Sequence, residues 1–469
     1  MNGFKQNVLI FYNLLIYNNF MRIDDELTVN IEKMSNLGLG IAKYDRFIIF
    51  AENSCPEDVV KIKLTKVAKN YAQAKVIEII KPSIHRVEPF CPLQKVCGAC
   101  QMQFINYDYQ LELKRVIVQD AVKKIANLNI EIPVPVKSPM IREYRHKIQY
   151  AVSRTKVSKR LLAGYYKPQS HEIVNIKYCP IQPAICDKII EFIRNTASDF
   201  GISGYDEKTH SGNLRHVVIR TSAKTCKNLI VLVVNADKVV DGLRDFAQCI
   251  YEEFEEVSGV CVNFNSNKTN VIMGKITECI IGEDFIEEQI LEKTFLIGAD
   301  TFFQVNPKSA ENIFKYVKEF IKENYKDAVV LDAYSGVSSF GVCISDVCQK
   351  VVCVEENKSS TDLAIKIIAA NNIDNIEINN TDAVKFFENE KRKFDVVILD
   401  PPRKGCSFKS LNAAYRLCKG SIIYVSCNPA TLARDLKYLC EKGCRVESIQ
   451  PFDMFCHTFH IENVAIAGI

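Results

Sequence analysis

Four short apolar runs in the C-terminal part of the chain restrict its fold more than any other feature. They are Val329-Val330-Leu331-Asp332, Val351-Val352-Cys353-Val354-Glu355, Val396-Val397-Ile398-Leu399-Asp400 and Ile422-Ile423-Tyr424-Val425-Ser426. Each ends in a polar group and is followed by a loop and a stretch with helical spacing. Strands that are apolar on both faces must be covered on both faces, and parallel strands need long crossovers. The pattern therefore predicts an α/β, Rossmann-like doubly wound sheet beginning near residue 296. In such sheets ligands bind beyond the carboxyl ends of the strands, where these polar groups lie.

The preceding residues read differently. Alternating runs such as Leu27-Thr28-Val29-Asn30-Ile31 and Val59-Val60-Lys61-Ile62-Lys63-Leu64 are separated by Gly38, Gly40, Asn53-Ser54 and Asn70, which predicts a small antiparallel β-barrel. Interleaved lysines suit an oligonucleotide-binding (OB) barrel. Residues 103–127 have helical spacing, and residues 129–290 mix short strands, basic loops and acidic helices in an α+β pattern. A chain of 469 residues exceeds one ordinary core, so two or three domains are expected. The net charge of +4 says nothing about partners, but its distribution does. Seven Lys/Arg face one Glu between Lys61 and Arg86, and eight face one between Arg142 and Lys167. Such runs are either solvated faces or phosphate-facing surfaces.

The apolar stretch from Val8 to Tyr17 is too short to span a membrane, and no small-residue cleavage site follows it. Residues 1–20 are read as an extension of unclear status, since the regular pattern starts at Met21. Nineteen cysteines, an odd and scattered set, do not form a secreted disulfide framework, so a reducing cytoplasm is expected.

Glu355 stands 23 residues after Asp332, a spacing at which a strand-end carboxylate can accept both hydroxyls of a ribose. It can equally be an ordinary strand-end acid. Gly336 and Gly341 alone do not make the glycine fingerprint that cradles a pyrophosphate. A nucleoside without phosphates fits better, which favours S-adenosylmethionine over NAD, with Asp382 placed to meet an adenine amino group. Cys427, in Ser426-Cys427-Asn428-Pro429, sits where a buried strand ends, a position suited to a nucleophile. Thiolate addition to carbon 6 of uracil makes carbon 5 nucleophilic enough to take a methyl group from a sulfonium. A base must then remove the carbon 5 proton, and Glu462 is a reasonable one. Cys91, Cys97 and Cys100 form C-x5-C-x2-C, with Cys179 further on; four thiolates satisfy either structural zinc or an iron–sulfur cluster.

Together these motifs resemble the RNA uracil-C5 methyltransferase family, in particular the branch acting on 23S rRNA, over roughly residues 21–469. The resemblance implies a TRAM (OB-like) RNA-binding barrel over 21–83 and a central iron–sulfur and RNA-binding domain over 84–295, whose segment near 103–134 packs on the catalytic domain. A class I methyltransferase domain dependent on S-adenosylmethionine then fills 296–469. It implies a [4Fe-4S] cluster on Cys91, Cys97, Cys100 and Cys179. In Phe303-Gln304-Val305-Asn306 it makes Gln304 a cofactor contact, along with Tyr334, Ser339, Glu355, Asp382 and Asp400. Cys427 falls at its nucleophile position and Glu462 at its general-base position. Two departures stand out: Tyr334-Ser335-Gly336-Val337-Ser338-Ser339 replaces a Cys-Gly-Thr-Gly style loop, and Cys456 replaces a usual Pro.

A flipped-out uridine is required for base chemistry, so RNA loops are the expected substrate, held by Arg142, Arg145 and Lys147. The expected enzyme is a monomer with no membrane partner. The rival readings are the same chemistry on tRNA, a non-catalytic RNA-binding protein, and an NAD-dependent oxidoreductase.

Overall fold

The computed structural model describes residues 21–45, 47–155, 157 and 160–469, so the extension expected over 1–20 lies outside the described residues. Contacts divide the chain into two compact units, one running to Glu88 and including Gln101–Tyr109, the other comprising Pro89–Cys100 and Gln110–Ile469.

The first unit is built on β1 (Glu26–Asn30), β2 (Lys33–Met34), β3 (Gly40–Tyr44), β4 (Phe47–Glu52), β5 (Val59–Val67) and β6 (Tyr71–Lys81), in the order β1-β5-β6-β4-β3-β2. β1 pairs with β5 while β2, just downstream, pairs with β3, so one stretch of chain serves both edges. The Ile31 N–H donates to the Asp58 carbonyl at 2.9 Å and the Glu32 N–H to the Ile41 carbonyl at 2.8 Å, which closes the sheet into a barrel. Strand alternation buries Val60, Ile62 and Leu64 against Ile49 and Ala72. Lys61 and Lys63 point outward, where they pair with Glu26 at 2.6 Å and Asp24 at 3.0 Å. These two lysines, expected to face phosphate, are therefore partly neutralised by their own barrel. Asp58 is fully buried and accepts both the Nε and Nη2 donors of Arg86 at 2.8 Å.

The second unit opens with β7 (Lys147–Arg154), β8 (Leu161–Gly164), β9 (Leu214–Thr221), β10 (Asn228–Val234), β11 (Val257–Phe264) and β12 (Ile276–Gly282), in the order β12-β11-β10-β9-β7-β8. A hairpin of β13 (Phe285–Ile290) and β14 (Lys293–Gly298) leads to the larger sheet. That sheet comprises β15 (Ala328–Ala333), β16 (Cys348–Glu355), β17 (Ile376–Asn380), β18 (Phe394–Leu399), β19 (Cys418–Ser426), β20 (Arg445–Phe452) and β21 (Glu462–Gly468). Its order is β17-β16-β15-β18-β19-β21-β20. The four apolar runs of the sequence fall on β15, β16, β18 and β19, which are mutually parallel and buried on both faces. β21 inserts antiparallel between β19 and β20. The strand order reverses at β15, which creates the crevice where such sheets take a ligand.

The helix expected over 103–127 is regular only from Tyr107 to Ala121 and finishes in a wider turn over Val122–Ala126. Val118 and Val122 pack with Ile132 among the buried residues of the larger sheet. Lys114 reaches into the same interior, where its Nζ lies 2.6 Å from Asp453 and both side chains are fully buried. It also donates to the Phe455 carbonyl at 3.1 Å, so a single ammonium fixes the start of the loop before β21. Removing one partner of a buried pair leaves the other charge uncompensated. Lys114→Ala is expected to destabilise the protein by roughly 3–5 kcal/mol in urea unfolding, whereas a loss under 1 kcal/mol would show the pair to be dispensable.

Candidate active site

A cavity of about 720 Å³ opens at the carboxyl edge of the larger sheet. Each strand end delivers its side chain by a local device. After β15 the chain takes left-handed conformations at Tyr334 (φ 68°), Gly336 (φ 56°) and Ser338 (φ 61°), folding the loop back over the crevice. Glu355, at the end of β16, accepts from the Gly336 N–H at 2.9 Å and the Asn357 N–H at 2.8 Å, which holds that loop and the carboxylate together. Asp382 follows β17 and caps the helix Ala383–Asn389 by accepting from the Lys385 N–H at 3.0 Å. Gln304 lies between two anchors: Phe303 is in the core, and Asn306 caps the helix Pro307–Asn324 while donating to Met454 O at 3.2 Å. Gln304, Tyr334, Ser339, Glu355, Asp382 and Asp400 all line the one cavity. Carboxylates separated by the apolar side chains of Val354 and Ala383 suit the hydroxyls and amino group of a nucleoside and a sulfonium cation, and they repel phosphate.

Cys427 and Glu462 line the same cavity. Ser426 at the end of β19 is paired with Asn463 of β21, so the residues just beyond, Cys427 and Glu462, emerge side by side. Asn428 caps the helix Pro429–Lys442, and its side chain and that of Thr431 donate to the Arg403 carbonyl, both at 3.3 Å. Gly405 turns this Asp400–Gly405 loop with φ 75°, and a Cβ there would lie 2.6 Å from both Arg434 Nη2 and Asp435 Oδ2. Only glycine fits that close approach.

Burial dominates the electrostatics. It pushes the Asp400 carboxyl up to about 7. Glu462 is driven well above the usual carboxylate range by burial and then by Asp400, with Arg403 opposing. The Cys427 thiol is pushed up to about 11, first by burial and then by Glu462, while Arg403 pulls it down and hydrogen-bonds it. Arg403 Nη2 lies 2.9 Å from His460 Nδ1. His460 is lowered to about 4, chiefly by burial, so it is neutral near pH 7 and accepts from Arg403. Arg403 thus faces the thiol at one end and is steered by an imidazole at the other. Arg403 and His460 stand 57 residues apart in the chain, and only the fold brings the two together.

The basic run Arg142, Arg145 and Lys147 does not form one surface. Arg142 is exposed, with its guanidinium 4.4 Å from the centre of the Phe90 ring. Arg145 and Lys147 instead line the cavity with Gln149, alternate residues at the start of β7. Burial, then Arg220 and Arg145, lowers Lys147 to about 7. Gln149 had no signal in the sequence beyond its place in the alternation.

Cys91, Cys97, Cys100 and Cys179 are gathered in one neighbourhood. Cys179 is within electrostatic reach of Cys97 and Cys91, and Tyr165 faces Cys179, Cys100 and Cys97. The expected metal site is not closed, however. Among the described residues, no group of three or more His, Cys, Asp or Glu side chains is set to hold a metal ion. Nor is any described helix long and apolar enough to cross a membrane.

The sequence profile of the tRNA (uracil-5-)-methyltransferase family matches residues 265–467, which include Gln304, Cys427 and Glu462 of this cavity, and the TRAM domain profile matches residues 24–77. The chain is 36% identical to an uncharacterized RNA methyltransferase of Clostridium tetani over 93% of this chain and 95% of that protein. It is 34% identical to one of Thermosynechococcus vestitus over 94% and 97%. The chain belongs to the RNA uracil-5 methyltransferase family. Among solved structures, the tRNA (uracil-54, C5)-methyltransferase of Pyrococcus abyssi in complex with S-adenosyl-L-homocysteine superposes with a TM-score of 0.74 at 27% identity, over 94% of this chain and all of that one. The enzyme therefore has the class I methyltransferase fold with an N-terminal TRAM domain.

A thiol held near pH 11 reacts through its minor thiolate form. Alkylation of Cys427 by iodoacetamide, followed by peptide mass spectrometry, is expected to accelerate about tenfold per unit between pH 6 and pH 9. Arg403→Ala raises the thiol further and is expected to slow the reaction roughly tenfold at pH 8. A pH-independent rate would contradict the environment described.

Proposed function

We propose that the enzyme transfers a methyl group from S-adenosylmethionine to carbon 5 of a uridine in 23S rRNA through a covalent adduct between Cys427 Sγ and carbon 6 of the uracil. The observation that supports this reading best is the convergence of Cys427, Glu462 and the nucleoside-suited carboxylates on one cavity. S-adenosylmethionine supplies an electrophilic methyl group. Gln304, Tyr334, Ser339, Glu355, Asp382 and Asp400 would hold it, the last three offering carboxyl groups suited to its hydroxyls, amino group and charge.

Cys427 gives its proton to solvent water and its sulfur adds to carbon 6, leaving an enolate. Arg403 holds the thiolate's charge before addition. Carbon 5 then takes the methyl group as that group's bond to the sulfonium sulfur breaks, and the donor leaves as the neutral thioether S-adenosylhomocysteine. Glu462, as carboxylate, removes the proton from carbon 5, and the carbon–sulfur bond breaks to restore the thiolate and the uracil double bond. Burial raises the affinity of Glu462 for protons, which strengthens it as a base once ionised.

The barrel and the Arg145–Lys147 segment hold RNA phosphates, and Arg142 joins them from the surface. A second substrate reading, tRNA, is favoured by the Pyrococcus abyssi relative, which acts on uracil-54 of tRNA. The four cysteines support the further reading of a [4Fe-4S] cluster, because a four-iron cluster spreads its thiolates more widely than a single ion does. No step of the reaction passes through it. Iron and sulfide analysis of the anaerobically purified protein and of a Cys97→Ser variant tests this assignment.

Cys427→Ala is expected to abolish 5-methyluridine formation while retaining S-adenosylmethionine binding by calorimetry. Glu462→Gln should methylate once and then stall, trapping a protein–RNA adduct that survives denaturing electrophoresis. Normal turnover by either variant would remove that residue from the mechanism. Nucleoside mass spectrometry on separate unmodified 23S and tRNA pools decides the substrate.

A further inference from the structure

A second cavity of about 430 Å³ lies in the second unit, lined from β7 by Val152 and Ser153 and from β9 by Arg215 and His216. Its volume is in the range of small-molecule sites. Its walls are chemically specific. Arg215 is 5% exposed and sits 4.8 Å over the Tyr205 ring. Its Nη atoms donate to the carbonyls of Asn265, Asn267 and Thr269, but its Nε has no partner. His216 Nδ1, also buried, has none either. Both atoms are closed to solvent behind the cavity wall. Tyr166, 37% exposed, offers a ring at the cavity, and Lys268 stands exposed at its rim.

We infer that this cavity takes a nucleotide of the substrate RNA other than the methylated one. A flat base stacks on Tyr166 and the backbone phosphate pairs with Lys268, while the buried Arg215 guanidinium holds the wall formed by Asn265, Asn267 and Thr269 in place. The two cavities share a strand. Gln149 lines the catalytic cavity and Ser153, on the same face of β7, the second, roughly 13 Å apart along the strand. An RNA held at both points is fixed in register, with one base under chemistry and another read nearby. The inference rests on RNA being the substrate and deepens that reading.

Tyr166→Ala and Lys268→Ala in the full chain test it by RNA affinity, measured separately from methylation on 23S and tRNA transcripts. Tyr166→Ala is expected to raise the Kd of the bound transcript about tenfold and to lower kcat at saturating RNA less than twofold; Tyr166→Phe restores affinity. RNA carrying 4-thiouridine beside the target is expected to crosslink to the peptide containing Tyr166. Unchanged affinity in both alanine variants, or crosslinking from the target uridine alone, overturns the inference. Saturable binding of free AMP, GMP, CMP or UMP at this site without any effect on RNA affinity would assign the cavity to a soluble nucleotide and overturn it equally. Loss of methylation in wild type with the affinity changes intact would instead count against the catalytic reading.

Discussion

The geometry of the candidate site depends on one strand running backwards. In a wholly parallel sheet every strand begins at the edge away from the ligand. β21 begins at the carboxyl edge because it pairs antiparallel with β19, with Ser426 opposite Asn463 and the Asn463 side chain donating to the Ser426 carbonyl at 3.1 Å. Its first residue, Glu462, is thereby placed beside Cys427 on the adjoining strand end. A slip of one residue would turn the carboxyl to the other face of the sheet. The register is secured on both sides, since β20 pairs Phe452 with Glu462.

That placement has electrostatic consequences. Glu462, Asp400 and Cys427 share a space from which water is largely removed, so each holds its proton more tightly than it would in solution. Two acids and a thiol can occupy one small site because they need not all be charged at once. Arg403 is the compensating cation. Held through its own carbonyl by Asn428 and Thr431, it can stabilise whichever of the neighbouring groups ionises as the reaction proceeds.

The loop from Asp453 to His460 connects these parts to the helix beginning at Tyr107. Lys114 pairs with Asp453, Gln110 accepts from the His457 N–H at 3.2 Å, and the Tyr144 hydroxyl donates to the Cys456 carbonyl at 2.8 Å. Two distant segments, the helix carrying Gln110 and Lys114 and the stretch at Tyr144, therefore hold the approach to Glu462. This accounts for Cys456 standing in a position where the family usually carries proline: the loop's course is set by bonds to backbone atoms that either residue would offer. Cys456 Sγ adds a weak contact to the Met140 carbonyl at 3.6 Å.

Much of this was legible in the sequence because local pattern and burial agree there. Apolar runs ending in Asp332, Glu355, Asp400 and Ser426 announce parallel strands and their ligand edge, since a strand buried on both faces can be built in few other ways. Alternation announced the barrel, and Cys427, Glu462, Gln304 and the strand-end acids could be named from motifs and chemistry. What the sequence did not determine involves side chains far apart in the chain. Lys61 and Lys63 read as phosphate ligands but pair with Glu26 and Asp24 across the barrel. Arg142, Arg145 and Lys147 read as one basic face but divide between surface and cavity. The four cysteines share a neighbourhood without closing on one ion. Spacing along a chain specifies which face of a strand or helix a residue occupies. Which other face it meets, and how much water that meeting excludes, is decided only when the sheets pack, and that sets the proton affinities on which the reaction depends.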